Sequence, residues 1–149
     1  MANTCTTEIN VNASESAIDW LENLVKNYTT EDFIGQFGSG AELFIDKVGS
    51  KWITLMDQYR VESQKYFISF ESAWYPPETL MKNIFDQLSK IDDSSYLDGR
   101  YWDEGFSPIG IFEVNLAGYK SAEDHLSVDW DNEYYWEEEV EPAFNNLEI

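Results

Sequence analysis

The sequence predicts an α+β fold: a ferredoxin-like split βαβ sandwich with an antiparallel sheet, two helices on one face, an extra strand and an acidic C-terminal extension. Two observations support this prediction. Several segments alternate apolar and polar residues with the period of a strand, and two segments repeat apolar residues with the 3.6-residue period of a helix. In chain order the elements are strand, helix, strand pair, helix and strand pair, without an internal repeat.

The first strand and the first helix are predicted near the start of the sequence. Ile9, Val11 and Ala13 alternate with polar residues, which indicates a half-buried strand. Ser14 follows, and serine is a residue type that caps helices. The apolar face of the predicted helix comprises Ala17, Ile18, Leu21, Leu24 and Val25.

A glycine-rich segment separates this helix from a pair of strands. Glycines are concentrated in residues 35–40, which indicates a loop, and we expect a short strand or turn at residues 43–45. Two longer strands are predicted near residues 53–61 and 66–74. Residues 62–65 form the hairpin connection between them.

The second helix and a last hairpin complete the predicted core. Pro77 suits the first helical position, where its missing N–H group would have no partner in any case. Glu104 and Gly105 form a turn between the two final strands, and Pro108 is expected on an edge strand or at a bulge. The apolar face of the second helix comprises Leu80, Met81, Ile84, Phe85 and Leu88.

We expect a single domain over residues 1–149, with a core at 1–118 and an acidic, aromatic extension at 119–149 that packs on the core. An aromatic content of 16% is too high for a disordered acidic chain. The net charge is −20, and residues 92–149 contribute −14 of it. Such a surface repels phosphate backbones, so direct binding to nucleic acid is not expected. The expected partners are basic proteins or cations.

Cysteine content and the N-terminal sequence bear on the cellular location. Cys5 is the only cysteine, so the chain forms no internal disulfide and suits a reducing cytoplasm. The first residues lack the basic and apolar regions of a signal peptide, and the sequence has no apolar segment long enough to span a membrane. The sequence therefore predicts a cytoplasmic protein without a membrane partner.

Residues capable of catalysis are few. His125 is the only histidine, and the spacing pairs it with no serine or cysteine nucleophile. Cys5 has no neighbouring cation in the sequence and is interpreted as a small buried residue. An enzyme would most plausibly use Asp103 and Glu104, beside Trp102, for acid and base chemistry. The favoured interpretation is a protein that is not an enzyme and needs no cofactor.

The acidic residues do not form a recognisable metal site. Asp129, Asp131 and Glu133 alternate as ligands of a calcium loop do, but the glycine and the distal glutamate of that loop are missing. We therefore predict no metal. Tryptophans at 52, 74 and 102 are interpreted as core residues that pack against the two helices.

The segment 128–141, VDWDNEYYWEEEVE, contains seven acidic residues, four aromatic residues and no lysine or arginine. Aromatic rings are rare in solvated acidic tails, so we expect the protein body to cover them. In a helix from about Asp131, Trp136, Val140 and Ala143 would share one face and Tyr135 another. The glutamates would then form a fixed negative ridge.

Several short motifs resemble a known family. These are M-A-N-x-C at the start, G-S-K-W at 49–52, F-I-S-F-E-S-A-W-Y-P-P at 67–77 and Y-W-D-E-G-F-S-P-I-G at 101–110. Over residues 1–118 they resemble the YubB-like, ferredoxin-like-domain family of bacteriophage and plasmid proteins. The chain departs from that pattern at Thr4, where the family often has tryptophan, and in its acidic last thirty residues. The resemblance implies a fold and a mobile-element origin, without a reaction.

Two functions are consistent with these features. The first is a phage-type inhibitor that mimics DNA and occupies the basic nucleic-acid-binding groove of a host defence protein, as anti-restriction or anti-CRISPR proteins do. The alternative is a non-catalytic interaction module or antitoxin-like adaptor that recognises a protein through aromatic residues. The predicted partner-binding residues are Asp129, Asp131, Glu133, Tyr135, Trp136, Glu137, Glu138, Glu139 and Glu141.

Overall fold

The computed structural model describes residues 3–27 and 53–149. The predicted loop at 35–40, the predicted strand or turn at 43–45 and the tryptophan at 52 lie outside the described residues. Within them the chain has an α+β fold with six strands and three α-helices. The elements are β1 Thr4–Asn12, α1 Glu15–Asn27, β2 Ile53–Glu62, β3 Lys65–Ala73, α2 Glu78–Ile91, β4 Tyr96–Asp103, β5 Ile109–Asn115, β6 Gly118–Asp124, a π-helical turn Trp136–Val140 and α3 Glu141–Asn146.

The six strands form one antiparallel sheet in the order β2-β3-β1-β4-β5-β6. β1 therefore lies between β3 and β4, although it is the first strand in the chain. Cys5 pairs with Ser72 on one side and with Asp103 on the other. Successive side chains of a strand point to opposite faces, so the sheet has two distinct faces.

The first sheet face and the two long helices enclose the main hydrophobic core. Ser14 caps α1, because its hydroxyl oxygen accepts a hydrogen bond from the Ala17 amide at 3.3 Å. The predicted apolar face of α2 is confirmed, since all five of its residues are buried. Pro77 is the N-cap of α2 and not its first helical residue. Cys5 is fully buried in this core, and burial raises the pKa of its thiol to about 12.

β6 is an unpredicted strand within the segment expected to form the C-terminal extension. It pairs with β5 along its whole length, from Gly118 opposite Asn115 to Asp124 opposite Ile109. The strand is mostly exposed because it is an edge of the sheet. An edge strand with few buried residues lacks the apolar alternation by which strands are recognised in a sequence.

Trp74 lies in an exposed turn directly after β3, so its interpretation as a core residue is wrong. Its φ angle is 62°, a left-handed conformation that turns the chain sharply between β3 and α2. The Trp74 amide donates to the Asn3 carbonyl oxygen at 2.8 Å, and the Ser72 hydroxyl donates to the Tyr75 carbonyl oxygen at 2.7 Å. The side chains of Trp74 and Tyr75 are 46% and 61% exposed.

The motif at 101–110 forms a hairpin whose two ends are in contact. Tyr101 and Gly110 are directly opposite each other on β4 and β5. A Cβ atom at Gly110 would lie 2.2 Å from the Tyr101 ring, so only glycine leaves room for that ring. The Tyr101 hydroxyl donates to Glu123 Oε2 at 2.9 Å and thereby connects β4 to the edge strand β6.

Candidate protein-interaction surface

The C-terminal segment packs against the second face of the sheet, opposite the helices. Ile109 of β5 is fully buried beneath it, together with Val140, Phe144 and Tyr135 from the segment itself. These residues form a second hydrophobic cluster. The partly buried residues around it are Trp102, Phe106, Ile111, Leu126, Val128, Trp136, Ala143 and Leu147.

Arg100 on β4 connects this segment to the sheet. Its Nε donates to Glu8 Oε1 at 2.8 Å, and its Nη1 donates to Glu141 Oε1 at 3.0 Å. The guanidinium carbon lies 5.1 Å from the centroid of the Phe144 ring and 5.5 Å from that of Trp136. An arginine between two carboxylates and aromatic faces combines ion pairing with cation–π attraction.

Glu141 is bonded to other residues of the protein itself. The same Oε1 atom that accepts from Arg100 also accepts from Trp136 Nε1 at 2.9 Å. The hydrogen bond from Arg100, followed by that from Trp136, lowers the pKa of Glu141 below its usual value. Although we predicted Glu141 as a partner-binding residue, the structure gives its carboxylate two internal donors.

Tyr135 and Trp136 also point inward. Tyr135 is only 9% exposed, and its hydroxyl donates to the Ser127 carbonyl oxygen at 3.0 Å. Trp136 contacts Trp102 edge-on, with ring centroids 5.1 Å apart. The π-helical turn contributes to this packing, because its i→i+5 hydrogen bonding puts more residues in each turn and brings Tyr135 and Val140, five residues apart, to the same side. In this arrangement both rings pack against the protein itself and stabilise the segment on the sheet.

The loop before the π-helical turn is held by side-chain acceptors. Asp129 Oδ1 accepts from the Asp131 amide at 3.1 Å, and Asn132 Oδ1 accepts from the Tyr134 amide at 3.0 Å. Such local bonds compete with helix formation, so the helix expected from about Asp131 begins only at Trp136. The loop exposes 74% of Trp130 and 57% of Tyr134.

Six of the nine predicted partner-binding residues are exposed carboxylates: Asp129, Asp131, Glu133, Glu137, Glu138 and Glu139. Together with Trp130 and Tyr134 they form what we call the acidic-aromatic surface. The chain contains no lysine or arginine after Lys120, so no basic residue from this part of the sequence offsets their charge. Sequence reasoning missed the two exposed rings, although the Asp and Asn residues beside them are typical of turns.

Ser107, His125 and Glu123 form a group that sequence spacing did not reveal. Ser107 Oγ lies 2.7 Å from His125 Nδ1, and Glu123 Oε1 lies 3.7 Å from His125 Nε2. Histidine in such a position can activate a serine, but acyl transfer also needs donors for the developing oxyanion. Residue 108 is a proline without an N–H group, and the amides of Gly105 and Phe106 both donate to Asp103. These neighbouring amides are therefore engaged elsewhere, and we assign no reaction to this group.

Asp103 and Glu104, the pair considered for acid and base chemistry, hold strand ends in place. Asp103 is 4% exposed, and its Oδ2 accepts from the Gly105 amide at 2.7 Å. Glu104 Oε1 accepts from the Thr4 amide at 3.1 Å. Among the residues that the structure describes, no group of three or more His, Cys, Asp or Glu side chains is arranged to hold a metal ion.

Comparison of the chain with protein-family models, with curated proteins and with solved structures finds no match. The resemblance to phage and plasmid proteins therefore stays a prediction. None of the helices in residues 3–27 and 53–149 is long and apolar enough to cross a membrane.

Proposed function

We propose that this protein is a non-enzymatic inhibitor that occupies the basic nucleic-acid-binding groove of another protein. The observation that carries the proposal is the acidic-aromatic surface, in which Trp130 and Tyr134 are exposed among six carboxylates. Interfaces commonly place a few tryptophan and tyrosine anchors inside a polar rim. Here the rim is uniformly acidic, so the complementary surface is basic.

The way in which the C-terminal segment is attached supports this role. Val140 and Phe144 are buried against the sheet, and Arg100 bonds to Glu141, so the chain holds the carboxylates in place before a partner arrives. A preorganised surface loses less conformational entropy on binding. The negative field of the C-terminal third also attracts a basic partner from a distance and speeds association.

The proposed roles of the residues follow from their exposure. Glu137, Glu138 and Glu139 on the π-helical turn, with the acidic residues of the loop, take the place of phosphates and pair with lysine and arginine of the target. Trp130 and Tyr134 pack against the target as anchors. Tyr135, Trp136 and Glu141 act indirectly, by fixing the segment on the sheet.

We further propose the setting in which the inhibitor acts. The order β2-β3-β1-β4, with a helix after β1 and another after β3, supports a ferredoxin-like split βαβ plan. The motif resemblance supports a phage or plasmid origin. A host defence protein that binds nucleic acid in the cytoplasm is then the natural target, as for anti-restriction or anti-CRISPR proteins.

A second candidate function relies on the aromatic residues alone. Trp130 and Tyr134 are large exposed rings, and they could serve a protein-interaction module or antitoxin-like adaptor in which the charge only maintains solubility. This alternative predicts binding that depends little on salt, because contacts between apolar groups are not screened.

Affinity purification from host lysate at low and high salt distinguishes the two functions. We expect a nucleic-acid-binding protein that elutes with salt and competes with added DNA. The variant Glu137→Gln, Glu138→Gln, Glu139→Gln should reduce its recovery strongly, because it removes three exposed charges. Replacing Trp130 and Tyr134 by alanine should also reduce it.

The matched control removes three exposed carboxylates elsewhere, at Glu62, Asp86 and Asp93, and changes the net charge by the same amount. This control should retain the partner. A partner bound equally by both charge variants and resistant to salt would favour the aromatic module. Recovery of no partner from lysates of several hosts would count against both functions.

A further inference from the structure

The C-terminal segment covers only part of the second sheet face and leaves a groove of about 450 Å³ beside it. The floor of this sheet-face groove includes Glu8, Asp98, Arg100 and Glu113 from three neighbouring strands. Phe67 of β3 and Phe144 of α3 also line it. The groove is therefore a concave site with both carboxylates and aromatic rings in its lining.

Two of these carboxylates form no ion pair with any residue in the described parts of the chain. Asp98 accepts a hydrogen bond from Asn10 Nδ2 at 3.0 Å, and no ion pair joins it to any described residue. Glu113 has neither a hydrogen bond nor an ion pair from its side chain within residues 3–27 and 53–149. Lys120 is opposite Glu113 on β6, but the two side chains form no ion pair. By contrast, Glu8 is paired with Arg100.

Asp98 and Glu113 bring two negative charges together on one sheet face, and Arg100 and Lys120 on neighbouring positions offset only part of their repulsion. They are directly opposite each other on the adjacent strands β4 and β5, with both side chains on the second face. Like charges at directly opposed positions destabilise a sheet. A bound cation would relieve this repulsion, which is the reason to consider a positively charged ligand.

Arg100 shows which cation the groove suits. Within the same lining, its guanidinium is bonded to Glu8 and Glu141 while it lies against the Phe144 ring. A planar guanidinium can bond to carboxylates and stack on a ring at once, whereas a lysine ammonium offers only a point charge. Asp98 and Glu113, with the Phe67 ring in the same lining, offer a second arginine the same kinds of groups.

We propose that the sheet-face groove binds an arginine side chain of the basic partner. This inference rests on the proposed function for the identity of the partner, since that function makes the partner a basic protein with arginine on its binding surface. The groove adjoins α3, which directly follows the π-helical turn with its three exposed glutamates.

The first test needs no partner and uses the capped tripeptide Gly-Arg-Gly as a probe in an NMR titration. We expect amide shifts at Asp98, Gly99 and Glu113, with weaker shifts for the matched Gly-Lys-Gly peptide. The variant Asp98→Asn, Glu113→Gln should weaken binding by about fivefold or more, as expected for the loss of two partly exposed ion pairs. The variant Asp86→Asn, Asp93→Asn removes two exposed carboxylates outside the groove, so it is the matched control and should keep the shifts at the groove.

The groove variant also has a predicted effect on stability. Because it removes the repulsion between two opposed carboxylates, its melting temperature should be at or above that of the natural chain. Loss of arginine binding is then not attributable to unfolding. Shifts that are absent, that appear only at the acidic-aromatic surface, or that persist unchanged in the groove variant would overturn the proposal.

The affinity purification separates failure of this inference from failure of the proposed function. If a basic partner is recovered equally well by the groove variant, the groove proposal fails and the inhibitor function stands. If no basic partner is found but the arginine peptide binds at Asp98 and Glu113, the proposed function fails and the arginine site stands as a property of the chain.

Discussion

At the residue scale, Arg100 and Glu141 determine how the C-terminal segment is held on the sheet. One oxygen atom of Glu141 accepts from both Arg100 and Trp136, so this carboxylate connects β4, the π-helical turn and α3. Arg100 is not singled out by any sequence motif, and Glu141 is predicted from the sequence to contact a partner and not Arg100. Their separation of 41 positions is bridged only in the folded chain.

This contact should depend on pH. The folded-state pKa of Glu141 lies below its ordinary value of 4.5, chiefly because Arg100 donates to it. Its contribution to stability is therefore complete above pH 4.5 and is lost as the pH falls through the lowered pKa. The NMR signal of the Trp136 indole N–H should move over that acidic range.

Two variants check the assignment of this transition. Glu141→Gln should abolish the acid-dependent movement of the indole signal, whereas Glu138→Gln on the exposed side should leave it unchanged. A transition that persists in Glu141→Gln, or one centred above pH 4.5, would contradict it.

At the element scale, the second hydrophobic cluster is a separate contribution to stability. Phe144 is 5% exposed and contacts Trp102, Trp136 and the Arg100 guanidinium. Replacing it by alanine should lower the free energy of unfolding by about 3 kcal/mol, because it leaves a cavity and removes these contacts. Urea unfolding followed by circular dichroism measures the change. Ile149→Ala is the matched control, since Ile149 is 52% exposed and should change stability by less than about 0.5 kcal/mol.

The elements also show how much of the fold the sequence could predict. The face of α2 was predicted residue by residue, because a helix with one buried side leaves a clear period in the sequence. The strand β6 was missed, since an edge strand buries too little to show alternation. The start of the C-terminal helix was predicted too early, because Asp129 and Asn132 bond to the backbone and favour turns.

The sequence predicts the exposed glutamates of the candidate site, but it does not predict which aromatic rings are exposed. Burying an unpaired carboxylate costs free energy, so Glu137, Glu138 and Glu139 are expected to be exposed. Which rings are covered depends on the π-helical turn, whose occurrence the sequence pattern does not indicate. The sequence pattern therefore predicts Tyr135 and Trp136 as contact residues, whereas the exposed rings of this segment are Trp130 and Tyr134.

At the scale of the whole molecule, the net charge of −20 opposes the compact state. Added salt screens this repulsion, so the melting temperature should rise by about 3 °C or more between about 0.02 M and about 0.5 M NaCl. Thermal denaturation at the two salt concentrations measures this change in melting temperature. Potassium chloride at equal ionic strength is the control and should give the same rise. A melting temperature that falls with salt would show that favourable ion pairs, such as those of Arg100, outweigh the repulsion.

The contact between Trp102 and Trp136 gives the molecule an intrinsic optical reporter. The two indole rings belong to the sheet and to the C-terminal segment, and their centroids are 5.1 Å apart at an interplanar angle of 71°. Chromophores this close and this inclined couple their electronic transitions and produce a paired band in the ultraviolet circular dichroism spectrum. The band should disappear when the segment leaves the sheet, even if every strand stays intact. Detachment of the segment can therefore be followed without a label, separately from global unfolding.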